Sequence, residues 1–403
     1  MNAKFFNFSL YLLISSILFS IAVCGQEDRN QRAEWKFITK APIFSSPLVE
    51  NNHVFIGSLD SNFYCLDLVN GTLIWKMKTN GQIRSTAKSA GKNVLFFCGD
   101  GKLYALEKTS GTIVWTFQTK DKMHDPFDYY QSSPLILDEE VYFGSGDGNI
   151  YSLNTTTGKQ TWSFATKGEV HSTLAHYSGK IYANSFDGNT YALNKKDGSL
   201  VWKFKSVGHR YFPKGEMQFS PVVVNGLVIV SGRDYNLYAL DAEKGYSHWN
   251  KVFTRGWAPV ITPSPKDDSL LYVGTSDDYL LLCLNSLSGR EMWKANLKFN
   301  IFGACTFNGD TGYTSTLMGK CYAFNRKTGE ILKIYTSETY LAHRLDYFKE
   351  DDTFRDDIYS ILHSNEDLIE AEYKVGGFYS TPAIASEYLL LSSTDGSIYC
   401  YKR

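Results

Sequence analysis

The sequence predicts an all-β protein, an eight-bladed β-propeller of four-stranded antiparallel blades, and three observations carry this prediction. Short apolar runs alternate with tight turns in a unit that recurs along most of the 403 residues. An aromatic residue closes each unit, and successive closing residues lie 40 to 47 positions apart. The last unit also lacks an outer strand, and the array begins with an outer strand that belongs to no unit of its own. A period in the forties with four strands per unit is typical of propeller blades.

The unit is clearest at positions 141–162, VYFGSGDGNIYSLNTTTGKQTW. Val141–Gly144 and Ile150–Leu153 are apolar runs of strand length, and Asp147-Gly148 between them is a hairpin signal. A second turn follows at Thr157-Gly158, and the unit ends at Trp162. These elements predict three strands of a meander, and a segment of small residues upstream predicts the fourth.

The closing aromatic residues define a structural repeat. Seven of the eight tryptophans occupy this position, and a tyrosine occupies it in the remaining unit: Trp35, Trp75, Trp115, Trp162, Trp202, Trp249, Trp293 and Tyr335. We expect the position on the outermost strand, where a large ring can pack between neighbouring blades. Only Trp257 falls outside the repeat.

Each blade opens with small residues, which we expect on the innermost strand because the strands converge there. The segments are Ser45-Ser46-Pro47, Ser85-Thr86-Ala87, Ser132-Ser133-Pro134, Ser172-Thr173-Leu174, Ser220-Pro221, Ala258-Pro259, Gly303-Ala304-Cys305 and Ser380-Thr381-Pro382. Proline is tolerated because this strand has an open edge toward the axis. The serine and threonine hydroxyls should line a wet channel.

The two ends of the array predict a closed ring. The last copy stops at Tyr401-Lys402-Arg403, with no following Thr-Gly turn or tryptophan, so blade 8 lacks its outer strand. Trp35-Lys36-Phe37 is an outer strand with no blade of its own. Pairing the two satisfies an open sheet edge. We therefore assign residues 35–403 to one eight-bladed domain.

The repeated acidic turns favour a structural explanation over a metal site. Asp-Gly in a two-residue hairpin supplies the positive φ that the turn requires, so a ring of calcium ligands is not needed to explain it. Cys65, Cys283 and Cys400 occupy equivalent slots in different blades, too far apart for a disulfide, and predict small buried side chains. No Cys/His spacing predicts a metal site.

Composition and the N-terminal sequence indicate which classes of partner are excluded and whether the chain is exported. The net charge of −1 argues against a nucleic-acid binder that neutralises phosphates. Residues 5–23 carry no charge and follow Lys4, which predicts a signal peptide over residues 1–25. Cleavage near Val23-Cys24-Gly25, lipidation of Cys24 and a retained anchor all stay open. The propeller is exported under each of them.

Three connections between blades are longer than the rest, at positions 121–131, 207–219 and 255–257. In a propeller such connections emerge on one face, and exposed aromatics with arginine are typical of binding surfaces. The alternative is that they pack on each other and plug the channel mouth. The candidate binding residues are His124, Phe127, Tyr129, Tyr130, His209, Arg210, Tyr211, Phe212, Arg255 and Trp257.

One insertion, at positions 337–374 before blade 8, interrupts the repeat. It holds eleven acidic and four basic residues. Leu341, Leu345 and Phe348, and then Ile358, Ile361 and Leu362, recur at helical spacing and predict one or two amphipathic helices. An insertion of this length in a regular array usually marks function or a partner. It is either a lid over the channel or a docking arm.

The repeat in forms such as Ser185–Trp202 resembles that of the quinoprotein (PQQ-like) propeller family over residues 35–335 and 375–403. The resemblance implies one of two branches. The PQQ-dependent dehydrogenases are similar in fold but look like longer chains with a vicinal cysteine pair and a calcium ion, and no two cysteines are adjacent here. The branch of the outer-membrane β-barrel assembly lipoprotein, which binds proteins and no cofactor, is closer in length and export.

From these observations we expect a non-catalytic scaffold of the cell envelope, in the periplasm or on the periplasmic face of the outer membrane. It would bind envelope protein partners as a monomeric propeller, in outer-membrane protein assembly if the resemblance extends that far. No catalytic residue, metal or cofactor is expected. The alternatives are a dehydrogenase using PQQ with calcium, and a carbohydrate-binding propeller.

Overall fold

A computed structural model describes residues 26–27, 32–120, 131–265 and 269–403. These residues form eight antiparallel sheets arranged as blades around one axis, together with two α-helices. The eight-bladed propeller predicted from the repeat is confirmed. The predicted signal peptide lies outside the described residues. No helix in the described part of the chain has the length and apolar character needed to cross a membrane.

Each blade has four strands. The inner strands are Leu48–Glu50, Lys88–Ala90, Leu135–Leu137, Ala175–Tyr177, Val222–Val224, Val260–Pro263, Thr306–Asn308 and Ala383–Ala385. The second strands are His53–Gly57, Asn93–Phe97, Glu140–Gly144, Lys180–Asn184, Leu227–Ser231, Leu270–Gly274, Thr311–Thr316 and Tyr388–Ser392.

The outer half of each blade is built in the same way. The third strands are Asn62–Asp67, Lys102–Glu107, Asn149–Asn154, Asn189–Asn194, Asn236–Asp241, Leu280–Asn285, Lys320–Asn325 and Ser397–Lys402. The outer strands are Leu73–Lys78, Ile113–Gln118, Gln160–Ala165, Leu200–Lys205, Ser247–Val252, Glu291–Asn296, Ile331–Thr336 and, for blade 8, Trp35–Ile38.

The ring closes as the ends of the array predict. Trp35 pairs with Cys400 and Ile38 with Ser397, in antiparallel register. The strand Gln26–Glu27 adds a fifth strand, parallel to the outer strand of blade 7.

Tryptophan links neighbouring blades. Each of the seven repeat indoles donates its N–H to a backbone carbonyl of the following blade, over 2.8–3.1 Å. The ring also covers a turn glycine of that blade. Gly245 is one of these: its φ is +77°, and a Cβ there would lie 2.5 Å from the Trp202 ring. Blade 8 takes its outer strand from Trp35–Ile38 and so has no hairpin to receive an indole, and Tyr335 stands at that position.

A belt of hydroxyls links the blades near the axis, which the sequence did not predict. In six successive contacts, a backbone N–H donates to the serine or threonine hydroxyl of the next blade, over 2.9–3.2 Å. The hydroxyls of this belt belong to Ser46, Thr86, Ser133, Thr173, Ser220 and Thr381. Each of these residues lies two positions before the first residue of its inner strand, so the prediction that the small residues form the strands themselves is wrong.

The inner strand of blade 6 begins later in the sequence than the small-residue pattern predicts. Thr262 pairs with Tyr272, where blade 1 pairs Leu48 with Phe55. The pairing therefore places Val260 at the belt position, and the assignment of Ala258-Pro259 to the innermost strand is wrong, because that strand spans Val260–Pro263. Val260 and Ala304 carry no hydroxyl, which interrupts the belt at blades 6 and 7.

The acidic turns are held by hydrogen bonds within the blade. In six turns, the aspartate accepts a hydrogen bond from the tyrosine hydroxyl four residues later, over 2.5–2.6 Å. The same carboxylate also accepts from the backbone N–H two residues later, as Asp147 does from Asn149. This geometry explains why aspartate and tyrosine recur together in the repeat.

The insertion contains two α-helices, α1 (Glu338–Tyr347) and α2 (Asn365–Lys374), and the 3₁₀ turn Ile358–Ser360. Ser337 caps α1, and Ser364 forms a capping box with Asp367 at the start of α2. The apolar series Ile358, Ile361 and Leu362 lies in and after the 3₁₀ turn, so its assignment to an α-helix is wrong. Leu345 is exposed, because α1 buries Tyr340 and Arg344 instead.

Candidate functional site

The candidate site lies on one face of the propeller, which we call the upper face. This face holds the connections between blades and the turns between second and third strands. The antiparallel strand order places both sets of loops on this side and all other hairpins on the lower face. Of the ten candidate binding residues, six lie on the upper face; His124, Phe127, Tyr129 and Tyr130 lie outside the described residues.

The connection from blade 4 to blade 5 and the turn of blade 5 form an arginine–aromatic cluster. We define it by His209, Arg210, Tyr211, Phe212, Arg233, Tyr235 and Trp257. The Arg233 guanidinium lies 4.1 Å from the Phe212 ring centre and 4.4 Å from that of Trp257. It therefore joins two loops that are 45 positions apart in the sequence. Cation–π contacts of this kind hold aromatic rings in fixed positions.

The outer part of the cluster is exposed. The Arg210 guanidinium lies 4.5 Å from the Tyr211 ring centre, and 64% of Tyr211 is accessible to solvent. His209 packs edge-on against Tyr235, with ring centres 4.7 Å apart. Exposed tyrosine and arginine side chains that pack against fixed neighbours are typical of interface hot spots.

Arg255 extends the positive region toward blade 6. Its guanidinium binds Asp278 at 3.0 Å, and the Trp257 backbone N–H donates to the Ser276 hydroxyl at 2.8 Å. Burial raises the pKa of Asp277, although the nearby Arg255 charge acts in the opposite direction. The loop is therefore tied to the blade 6 turn by polar contacts.

The inner side of the insertion is apolar. Tyr340 and Phe348 are buried and pack with Phe299 and Met318 of blades 6 and 7. The Tyr373 ring of α2 lies 6.0 Å from that of Phe44 in blade 1. The insertion therefore spans the arc from blade 6 to blade 1, which includes the interruption in the hydroxyl belt.

The outer side of the insertion is acidic. Its four basic residues form ion pairs with acidic residues of the insertion itself: Arg344 with Glu350, Lys349 with Asp356, Arg355 with Asp357 and Lys374 with Asp346. These pairs neutralise four of the eleven acidic residues. Glu366 and Glu370, one turn apart on α2, are exposed and add to the remaining negative charge.

Two acidic residues of the insertion are engaged below this surface. Glu372 is 6% exposed and accepts a hydrogen bond from the Tyr379 hydroxyl at 3.0 Å. Burial raises the pKa of Glu372 to about 8, and that hydrogen bond acts in the opposite direction. Asp352 binds the buried Lys320 ammonium at 2.5 Å and accepts from the Tyr340 hydroxyl.

No cluster of three or more His, Cys, Asp or Glu side chains among the described residues could hold a metal ion. The six described cysteines are buried, and Cys65, Cys283 and Cys400 each face a repeat tryptophan across the sheet. That contact requires a small side chain, in agreement with the sequence analysis.

The structure brings together His209, Arg210, Tyr211, Phe212 and Trp257, and places Arg255 beside them. None of these six residues lines the cavity on the axis. Sequence analysis missed Arg233 and Tyr235, which occupy a turn of ordinary length. The one available signal is that Arg233 stands beside a turn in which tyrosine replaces the usual glycine at position 235.

A family model described as outer membrane protein assembly factor BamB matches residues 27–149 and 131–256, which together exceed half of the chain. No curated protein matches the sequence.

Solved structures share the fold at low sequence identity. BamB from Moraxella catarrhalis is 15% identical with a TM-score of 0.65, and the match covers 91% of this chain and 96% of that one. The quinohemoprotein alcohol dehydrogenase from Comamonas testosteroni is 11% identical with a TM-score of 0.67, over 92% and 76%. The computationally designed Ika8 protein is 12% identical with a TM-score of 0.70, over 92% and 100%.

Proposed function

The chain belongs to the PQQ-like β-propeller family whose model is described as outer membrane protein assembly factor BamB, and on that premise we propose that it is a non-catalytic, protein-binding scaffold of the cell envelope. Its partner is an envelope protein that docks on the upper face. The name of the matched family extends the proposal to outer-membrane protein assembly. Residues 1–25 export the chain to the periplasm, where cleavage or lipidation of Cys24 leaves the propeller free or tethered.

The arginine–aromatic cluster is the observation that carries this proposal. Tyr211 and Arg210 are exposed, and the adjacent Phe212 ring contacts the Arg233 guanidinium. Large side chains that are already ordered lose little conformational freedom on binding, so more of their contact energy appears as affinity. The cluster is therefore suited to a protein surface that offers an apolar pocket with acidic or carbonyl groups around it.

The insertion supplies a second contact area of opposite charge. The outward acidic residues, among them Glu366 and Glu370, attract basic groups and repel acidic ones. Opposite charges at two ends of one face orient a partner during encounter. A partner with a basic region facing the insertion and an acidic region facing the cluster satisfies both.

Affinity capture from envelope extracts tests the proposal. The chain is compared with a variant that carries Arg210→Ala and Tyr211→Ala. The matched control is Tyr246→Ala, because Tyr246 is also exposed and also packs on a histidine, His248, but lies in a lower-face hairpin. We expect the same protein to be captured by the wild-type chain and the control and to be lost from the double variant. Equal capture by all three would contradict the proposal.

The quinoprotein alternative is tested on the central cavity, since that fold family includes dehydrogenases. Its lining consists of hydroxyl, amide, imidazole, guanidinium and apolar groups, with no carboxylate among the described lining residues. Calcium prefers several carboxylate and carbonyl oxygens, so these residues do not fit a calcium-bound quinone. Stoichiometric quinone absorbance after addition of PQQ and calcium, with dye-linked alcohol oxidation, would overturn the scaffold proposal.

A further inference from the structure

A cavity of about 170 Å³ lies on the propeller axis at the level of the hydroxyl belt. The belt residues Ser46, Thr86 and Thr173 are half-buried and line it, so solvent reaches the cavity. The residues two positions before the belt positions complete the wall of the cavity, and nearly every blade contributes one of them. They divide the wall into two unlike arcs.

One arc is aromatic. Tyr379 lies between Phe44 and Phe302, with ring centres 4.6 Å and 5.7 Å away. The Phe302 and Tyr379 rings are nearly parallel, at 17°. Phe219 continues the wall, 6.3 Å from Phe302. These rings form the apolar part of the cavity wall, on which a flat or chair-shaped ring can stack.

The other arc is polar and comes from blades 2 to 5, as Arg84, Gln131, His171 and Gln218. The Gln131 side chain is 5% exposed; its carbonyl accepts from the Arg84 backbone N–H, and its amide nitrogen has no partner among the described residues. Gln218 is 3% exposed, and its amide oxygen likewise has no partner in the described part of the chain. Buried polar groups normally have partners. The Gln131 amide N–H and the Gln218 amide oxygen are therefore the groups that a ligand or a water molecule would bind.

The hydroxyl belt adds donors to the polar side. Each belt oxygen accepts a backbone N–H from the neighbouring blade, which leaves its own hydrogen free to rotate toward the axis. The cavity thus combines several O–H donors, an amide donor and an amide acceptor opposite an apolar wall. A ligand with one apolar face and a rim of groups that both donate and accept matches this arrangement.

We propose that the cavity binds a neutral sugar ring, either a free monosaccharide or the end of a glycan. The C–H face of a pyranose stacks on Phe302 and Tyr379, and its hydroxyls bond Gln218, Gln131 and the belt. The uncharged donors and acceptors of Gln131, Gln218 and the belt outnumber the single arginine of the wall, Arg84, and they match the hydroxyls of a neutral ring. This site is separate from the proposed partner surface.

Isothermal titration of the full chain with glucose, galactose, N-acetylglucosamine and glucuronate tests the proposal. We expect saturable millimolar or tighter binding of at least one neutral sugar. Gln218→Leu, which keeps the side-chain size and removes the acceptor, should weaken that binding at least tenfold. Gln160→Leu on the exposed outer strand of blade 3 is the control and should bind as the wild type does.

A second variant guards against misfolding of the first. Phe302→Leu removes the flat ring from the opposite wall and should weaken binding about threefold or more. Absence of binding by every neutral sugar, or binding by glucuronate alone, would overturn the proposal. So would unchanged affinity in both variants, which would place the sugar elsewhere.

Discussion

The arginine–aromatic cluster and the insertion lie on the same face, but only the insertion fully buries aromatic side chains against the blades. The cluster leaves Tyr211 64% exposed, whereas the insertion buries Tyr340 and Phe348 almost completely against blades 6 and 7. The charge also differs. The cluster adds arginines to the surface, and the insertion pairs each of its own arginines and lysines and presents acidic residues.

This difference predicts that the core of the insertion contributes to stability and that the cluster contributes to binding. The insertion covers the arc in which Val260 and Ala304 interrupt the belt, and its aromatic core adds contacts to blades 6 and 7 there. The cluster sits on blade 5, which accepts a belt contact from blade 4 and donates the Trp249 indole N–H to blade 6. Substitutions in the core of the insertion should therefore unfold the protein, and substitutions in the cluster should change binding.

The largest expected effect is on stability. Phe348 is 4% exposed and contacts Phe299 and Phe354, with ring centres 5.5 Å and 5.2 Å away. Phe348→Ala should lower the free energy of unfolding by about 3–5 kcal/mol, measured by denaturant titration. Tyr359→Ala in the same insertion is the control; Tyr359 is 88% exposed, and the expected change is within about 0.5 kcal/mol. Similar losses in both variants would contradict the bracing role.

The second prediction concerns pH. Between the ordinary glutamate value of 4.5 and about 8, folded Glu372 keeps a proton that the unfolded chain loses. The folded state then binds more protons, so stability falls as pH rises, by up to about 1.4 kcal/mol per pH unit from this group. Glu372→Gln should flatten this slope in unfolding experiments from pH 5 to pH 8. Glu370→Gln, on the exposed side of α2, should leave the slope unchanged; a slope that survives Glu372→Gln would refute the assignment.

The propeller frame could be predicted from sequence because its signals are local and repeated. The spacing of tryptophans and turns determines the blade count, and the unmatched strands at the two ends determine the closure. The hydroxyl belt could not be predicted, because a serine whose hydroxyl bonds the next blade looks the same in the sequence as a serine whose hydroxyl faces water. The shift at Val260 follows from strand pairing with Gly274, which residue types alone do not specify.

The candidate site was harder to predict. Loop length pointed to Tyr211 and Trp257, but Arg233 joins them from a turn of normal length, and such contacts between distant positions leave no periodic signal. The helical spacing of Ile358, Ile361 and Leu362 was misleading because these residues fill a short 3₁₀ turn and the segment after it.

The third prediction addresses the support beneath the cluster. Arg233→Gln removes the cation between Phe212 and Trp257 and should free the connection at residues 209–212, at a local cost of about 1 kcal/mol. Hydrogen exchange of these amides should then quicken about fivefold. Arg290→Gln in an exposed lower-face hairpin should leave the exchange unchanged. Unaltered exchange in Arg233→Gln would mean that the support does not depend on this cation.

The smallest expected effect concerns the acidic surface. Glu366→Gln with Glu370→Gln removes two exposed charges and should slow association with the captured partner about two- to fivefold at low salt. Dissociation should stay nearly constant, because exposed charges steer encounter more than they hold a complex. At 0.5 M salt, screening should remove the difference between variant and wild type. A loss that persists at high salt would indicate direct contact instead of steering.

Photocrosslinking in intact envelopes tests the central claim most directly. A photoreactive phenylalanine analogue replaces Tyr211 on the upper face in one chain and Tyr246 on the lower face in another. The account predicts a discrete adduct with one envelope protein from position 211 and none from position 246. The same adduct from both positions, or an adduct from position 246 alone, would contradict the assignment of the upper face as the binding surface.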